Sequence, residues 1–231
     1  MNRDALYIFV TSLLNEIQID TTLFNTMLDV AQMRIEGIRP WVLLRGQDST
    51  QIASAGDTFT TAKTLASDFR EWFDESPIKL VDSRNNPIGL YEVPFLERFQ
   101  YRNSGGRFCV DYPNSTFYLL GVLTQSYTIY QNYIKLPTLV SSSATASWVF
   151  PVRFHKILGL MVAEMWKNGI DYDVFSNSQA SQQAQQAQAI LNEMTRWDSR
   201  LQQSMTRGLD PFNQGVNDLG NGGQPNGTNL I

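Results

Sequence analysis

The chain has 231 residues, of which 42% are hydrophobic and 17% charged, and its formal net charge is −4. That length and apolar content suffice for one sizeable core or two modest ones. The acidic balance argues against a protein built to grip nucleic acid, which carries a basic surplus.

The chain starts Met1-Asn2-Arg3-Asp4, and the apolar run that follows is broken at Thr11, Ser12, Asn15 and Glu16. It resembles neither a signal peptide nor a membrane span. Ala5, Leu6, Phe9, Val10, Leu13, Leu14 and Ile17 instead fall on one helical stripe. Asp20 stands as the N-cap of a second helix, whose stripe is Leu23, Phe24, Met27, Leu28, Ala31 and Ile35, with Gly37 and Pro40 as its stop. The short polar loop between them predicts an antiparallel pair.

From Arg45 to Val140, Gly, Pro, Ser and Asn punctuate short runs of β-formers. The predicted strands are Thr58 to Thr61, Ile78 to Asp82, Arg107 to Asp111, Thr116 to Leu120 and Tyr127 to Ile134. Connections this short predict mostly antiparallel hairpins. Pro94 to Gln100 reads as a short helix and Gly105-Gly106 as a hairpin tip. The single cysteine, Cys109, lies between Phe108 and Val110, which reads as a buried strand thiol in a reducing compartment.

Helical periodicity returns after the linker Ser141 to Ser147. Pro151 opens a helix with the face Ile157, Leu158, Met161, Val162, Met165 and Trp166, stopped at Asn168-Gly169. A last helix is predicted over Ser178 to Arg207, with Ala187, Ile190, Leu191, Met194, Trp197, Leu201 and Met205 as its stripe. The expected fold is therefore α+β. The helices of 1–45 and 141–207 close as a discontinuous bundle around a β-rich insert, 46–140, and an extended arm, 208–231, follows. That arm holds six Gly, five Asn and only two charges, Asp210 and Asp218. Too few apolar groups stand there to offset its ordering entropy, so its ordering needs a partner.

Reactive groups are sparse. His155, the one histidine, sits between Phe154 and Lys156 at a predicted helix start, where packing or hydrogen bonding is its expected role. No Gly-x-Ser-x-Gly elbow accompanies it for a Ser-His-Asp arrangement. Asp171 and Asp173 flank Tyr172 in a loop, a position where carboxylates are usually solvated. No His-Glu-x-x-His, calcium-loop or phosphate-loop spacing occurs, so no metal or cofactor is expected. Tyr127, Ile129, Gln131 and Tyr133 share one strand face and Tyr130 takes the other, which splits any stacking platform for single-stranded nucleic acid.

Taken in order, several segments resemble the head–tail connector adaptors of tailed bacteriophages, across Asn15 to Met205. They are Arg39-Pro40-Trp41, then Leu65-Ala66-Ser67-Asp68-Phe69, with Ala66 where that family favours proline. Ile88-Gly89-Leu90-Tyr91-Glu92-Val93-Pro94-Phe95 follows, then Tyr127 to Leu139, and finally Phe150-Pro151-Val152-Arg153-Phe154-His155-Lys156-Ile157-Leu158. The resemblance implies a ring of identical subunits, typically a dodecamer, that docks under the portal protein and receives tail or tail-tube (nozzle) proteins. It implies no bond-making chemistry. DNA would pass through the lumen without specific binding, and the location would be the virion neck, assembled in the host cytoplasm. On that expectation Leu209, Phe212, Val216, Leu219, Leu230 and Ile231 are the anchors of a portal-gripping arm, with avidity from many weak arms. Two other readings stand beside it. One is a hydrolase using His155 or Asp171 and Asp173. The other is a carbohydrate-binding β module whose Trp41, Trp72 and Trp148 would line a shared groove.

Overall fold

The computed structural model describes residues 1–15, 18–168 and 182–208. The protein is mixed α+β, with four α-helices and a large, nearly closed eight-stranded sheet.

Helix α1 (Arg3–Leu14) is capped by Asn2, whose side chain accepts the Ala5 N–H at 3.0 Å. It ends at Asn15 in the left-handed region, φ 54°, a conformation asparagine tolerates. Leu6 and Val10 are buried, and Phe9, Leu13 and Leu14 pack beside them as the stripe predicts. Ile17 lies outside the described residues. Helix α2 (Thr21–Gly37) begins at Asp20, which accepts the Leu23 N–H at 2.8 Å, the expected cap. Helix α3 (Lys156–Asn168) follows a 3-10 turn at Val152–Phe154 behind Pro151. Helix α4 (Gln182–Gly208) buries Ala184, Ala187, Leu191 and Met194, then Asp198. Residues 178–181, where its start was expected, are outside the described set.

Helix α3 is the hub. Ile157, Leu158, Leu160, Met161, Val162, Ala163 and Met165 are all buried, so apolar surface wraps most of its circumference. Such a helix can only be an interior one, and α1, α2 and α4 each pack against it. This changes the predicted pairing of α1 with α2. Both helices lean chiefly on α3, and Tyr7 links them through an edge contact with Phe24 and hydrogen bonds to the Ile19 backbone.

The strands are β1 (Arg45–Ala53), β2 (Ala62–Thr64), β3 (Phe69–Trp72), β4 (Ile78–Val81), β5 (Pro87–Glu92), β6 (Arg107–Asp111), β7 (Thr116–Leu120) and β8 (Tyr127–Lys135). Their order is β1-β8-β4-β5-β6-β7-β2, with β3 also on β8. Every pairing is antiparallel except β5 with β6, which is parallel. The inner face carries its own apolar cluster, including Ile78, Leu80, Leu90, Phe108, Phe117 and Ile129. It is separate from the helical cluster, which takes in Leu44 and Ile134 where the chain enters and leaves the sheet.

Three local expectations are corrected. Thr58 to Thr61 is a turn, not a strand: the Thr61 N–H reaches the Thr58 carbonyl at 2.9 Å, and the Thr61 hydroxyl accepts the Thr58 N–H at 3.2 Å. Threonine hydroxyls that bond nearby backbone compete with the ladder. Gly105-Gly106 is not a hairpin tip, because β5 and β6 run parallel and the loop between them must double back. Pro94 to Gln100 forms only a single 3-10 turn, Phe95–Glu97.

The two end strands, β1 and β2, are joined by side chains instead of a ladder. The Gln51 amide donates to the Thr64 carbonyl at 2.5 Å and accepts the Thr64 N–H at 3.1 Å, as a neighbouring peptide would. Lys63 Nζ donates to the Ile52 carbonyl at 2.9 Å. Charged and amide side chains at this seam also blunt two free strand edges.

Candidate functional site

The reactive side chains singled out in the sequence occupy structural positions. His155 is fully buried. Its Nε2 lies 2.6 Å from the Phe150 carbonyl, and its Nδ1 lies 2.6 Å from the Met1 amino group and 2.8 Å from the Met1 carbonyl. Both ring nitrogens are thus engaged in tying the chain start to the turn before α3. Cys109 is buried on β6, and burial pushes its thiol up to about 11, which keeps it protonated and unreactive. Asp171 and Asp173 lie outside the described residues, as do Leu209, Phe212, Val216, Leu219, Leu230 and Ile231. Trp41 and Trp148 are buried in the helical core, whereas Trp72 packs with Phe69 and Phe108 against the sheet cluster. The three tryptophans share no groove. Among the described residues no group of three or more His, Cys, Asp or Glu side chains could hold a metal ion. None of the described helices is long and apolar enough to cross a membrane.

An open, polar groove of 430 Å³ lies between β1 and residues 64–68. Asp48, Asp68 and Tyr133 are among the residues that line it. The Tyr133 hydroxyl donates to Asp68 Oδ1 at 2.6 Å, and burial, then that carboxylate, raise the phenol well above its ordinary range. Gln131, fully buried behind the groove, donates to Asp48 Oδ2 and the Thr64 carbonyl and accepts the Ala66 N–H. The carboxylates and amides here are spent on closing the sheet.

The most conspicuous exposed surface is the loop between β5 and β6. Pro94 sets its first turn, and the Arg98 guanidinium lies 3.8 Å from the Phe95 ring centre and 4.5 Å from that of Phe99. Phe59 meets Phe99 edge-on, and Arg107 stacks on Tyr101. Beneath them Val93, Cys109 and Leu120 form a third small core. The loop therefore holds its shape while presenting Leu96 at 89% exposure and Phe99 at 56%. Aromatic residues and arginine around an exposed apolar anchor are the composition of protein-binding hot spots.

A second surface of different character is the turn between β3 and β4. Glu71 on β3 and Asp74 and Glu75 on the turn are exposed on either side of Phe73 in sequence, whose ring faces the Arg45 guanidinium at 5.1 Å. Sequence reading missed both surfaces. The available signal was the density of Phe, Leu and Arg in 95–102 and of carboxylates in 71–75, neither of which reveals exposure. No protein-family model matches the chain, and no curated protein matches it either.

Proposed function

We propose that this chain is a virion structural protein, a head–tail adaptor whose copies form a ring joining a portal to a tail. The observation that carries the reading is how the sheet is inserted between the helices. The chain leaves the helical layer at Leu44 and returns at Ile134, with Arg45 paired to Ile134, so both ends of the insert lie side by side. Helices from the two halves of the chain share one apolar cluster around α3, and the sheet has a core of its own, which supports reading the chain as a discontinuous helical part with an inserted sheet. This is the element order that the sequence resemblance implies for the adaptors.

Exposed apolar side chains on the β5–β6 loop suit an assembly subunit, because a ring needs different surfaces of one chain to meet. Residues 208–231 serve as the arm that grips the portal. Leu209, Phe212, Val216, Leu219, Leu230 and Ile231 are its anchors, and glycine lets the backbone lie close. The ring, with dodecameric stoichiometry, continues the DNA channel without specific DNA contacts and sits in the virion neck. Its mechanism is assembly, with no bond made or broken.

Electron microscopy of the protein mixed with purified portal rings tests the reading. Rings stacked on the portal are the expected result, and a chain ending at Gly208 should keep its helical signal while binding the portal at least about tenfold more weakly, as lost avidity requires. Full-strength docking of the truncated chain would remove the arm from the proposal. Absence of any portal complex would remove the adaptor reading itself.

A further inference from the structure

The β5–β6 loop carries Arg98 and Arg102 against one carboxylate, Glu97, whereas the β3–β4 turn carries Asp74 and Glu75, each around exposed apolar side chains. On the loop, Arg102 is exposed, as are Leu96 and Phe99, and neither Arg102 nor Arg98 has an ion-pair partner among the described residues. On the turn, Glu71 reaches Arg70 only at 3.5 Å and Asp74 reaches Lys79 at 3.9 Å, both at the surface, while Glu75 is in no ion pair among the described residues. Phe73 lies between Glu71 and Asp74 in sequence at 37% exposure, one side of its ring turned to the Arg45 guanidinium.

We infer that the β5–β6 loop of one copy docks on the β3–β4 turn of a second copy, Leu96 and Phe99 covering Phe73 and Arg102 entering the carboxylates. The inference rests on the proposed assembly and supplies its copy-to-copy contact. Where the contact runs head to tail, one loop on one turn, every copy keeps a loop and a turn free for the next, and the series closes into a ring. The pairing of basic loop with acidic turn fixes register and rejects loop-to-loop or turn-to-turn encounters, where like charges meet. The loop also arrives ordered. Glu97 N–H to Pro94, Arg98 N–H to Phe95 and Gln100 N–H to Glu97 brace its turn, and the Arg98 stack locks its rings. Little freedom is then lost on docking.

Charge reversal tests the contact, read by sedimentation over a concentration series with folding checked by circular dichroism. Arg102→Glu alone, and Asp74→Arg with Glu75→Arg alone, should each weaken self-association more than about tenfold. Mixed one to one, the two variants should associate again at wild-type strength, because every loop then meets a turn of opposite charge. A misfolded variant could not be rescued in this way. Wild-type association of either variant alone, or failure of the mixture, overturns the contact while the ring reading stands. A wild-type chain that stays monomeric both alone and on portal rings overturns both.

Discussion

Asp198 Oδ1 accepts the backbone N–H of Val42 at 2.7 Å, across 156 residues of sequence. Its other oxygen lies 3.1 Å from Arg39 Nη2, and the carboxylate is fully buried. One side chain of α4 therefore fixes the 3-10 turn Val42–Leu44, the segment through which the chain passes from α2 into β1. Removing it leaves a buried N–H and a half-buried guanidinium without their acceptor. Asp198→Ala should cost about 3 kcal/mol, the range for breaking one side of a buried pair. Asp198→Asn, which keeps an acceptor for Val42, should cost less. Urea unfolding of the two variants decides the matter, and equal losses would mean that the Val42 bond contributes little.

Glu36 gives the fold a pH dependence. Its carboxyl is buried, accepting from Trp148 Nε1 at 2.8 Å and Gln32 Nε2 at 2.9 Å. Burial raises its pKa above the ordinary 4.5, although those two hydrogen bonds and the charge of Arg70 pull it down. A raised folded value means that the fold prefers the neutral acid. The contribution is fully present below the unfolded pKa and is lost as pH rises through the folded one. Wild-type stability should therefore fall as pH climbs away from about 4.5, and Glu36→Gln, which keeps the Oε1 acceptor, should flatten that slope. Glu36→Ala should cost about 1–3 kcal/mol at any pH by stranding the Trp148 and Gln32 donors. Chemical denaturation at a series of pH values measures both.

The helices were legible because their signals are local. Asp20 caps where an aspartate ahead of an apolar stripe should, and Leu6, Val10, Met27, Leu28 and Ile35 are buried at the spacing that marks them. Strand β1 was not, because Arg45–Ala53 is mostly polar and buries only Gly46 and Ala53. Its strand character comes from pairing with β8, whose apolar pattern is readable, across residues distant in sequence. The β5–β6 loop escaped for the same reason. Pro94 announced a turn, but the placement of Arg98 between two rings, and hence the exposure of Leu96, depends on β6 and β7 beneath.

Gly159 on α3 faces Phe9 of α1 with no room for a side chain between them. A Cβ built there would stand 2.5 Å from Phe9 Cδ1 and 2.9 Å from Phe9 Cε1. In an exposed helix, alanine in place of glycine gains up to about 1 kcal/mol. Here the half-buried Phe9 ring must move, and α1 with it, so Gly159→Ala should instead destabilise by about 1–3 kcal/mol. Combining it with Phe9→Leu should recover part of the loss, a coupling that a double-mutant cycle reads directly. Additive effects of the two changes would contradict the close approach.

Two glutamines at the sheet seam should differ sharply in worth. Gln131 is buried and serves three partners, the Thr64 carbonyl, the Ala66 N–H and Asp48. Gln51 makes two bonds to Thr64, but at the surface, where water replaces them readily. Gln131→Leu preserves volume yet leaves buried polar groups unpaired, and should cost about 2–3 kcal/mol. Gln51→Ala should cost no more than about 0.5–1 kcal/mol. Its stronger effect should appear in hydrogen exchange. Thr64 N–H has the Gln51 side chain as its acceptor, so its protection should drop in Gln51→Ala while amides of β8 keep theirs. Unchanged protection at Thr64 would mean that the seam is held by the Lys63 bond to Ile52 and by Gln131, without help from Gln51.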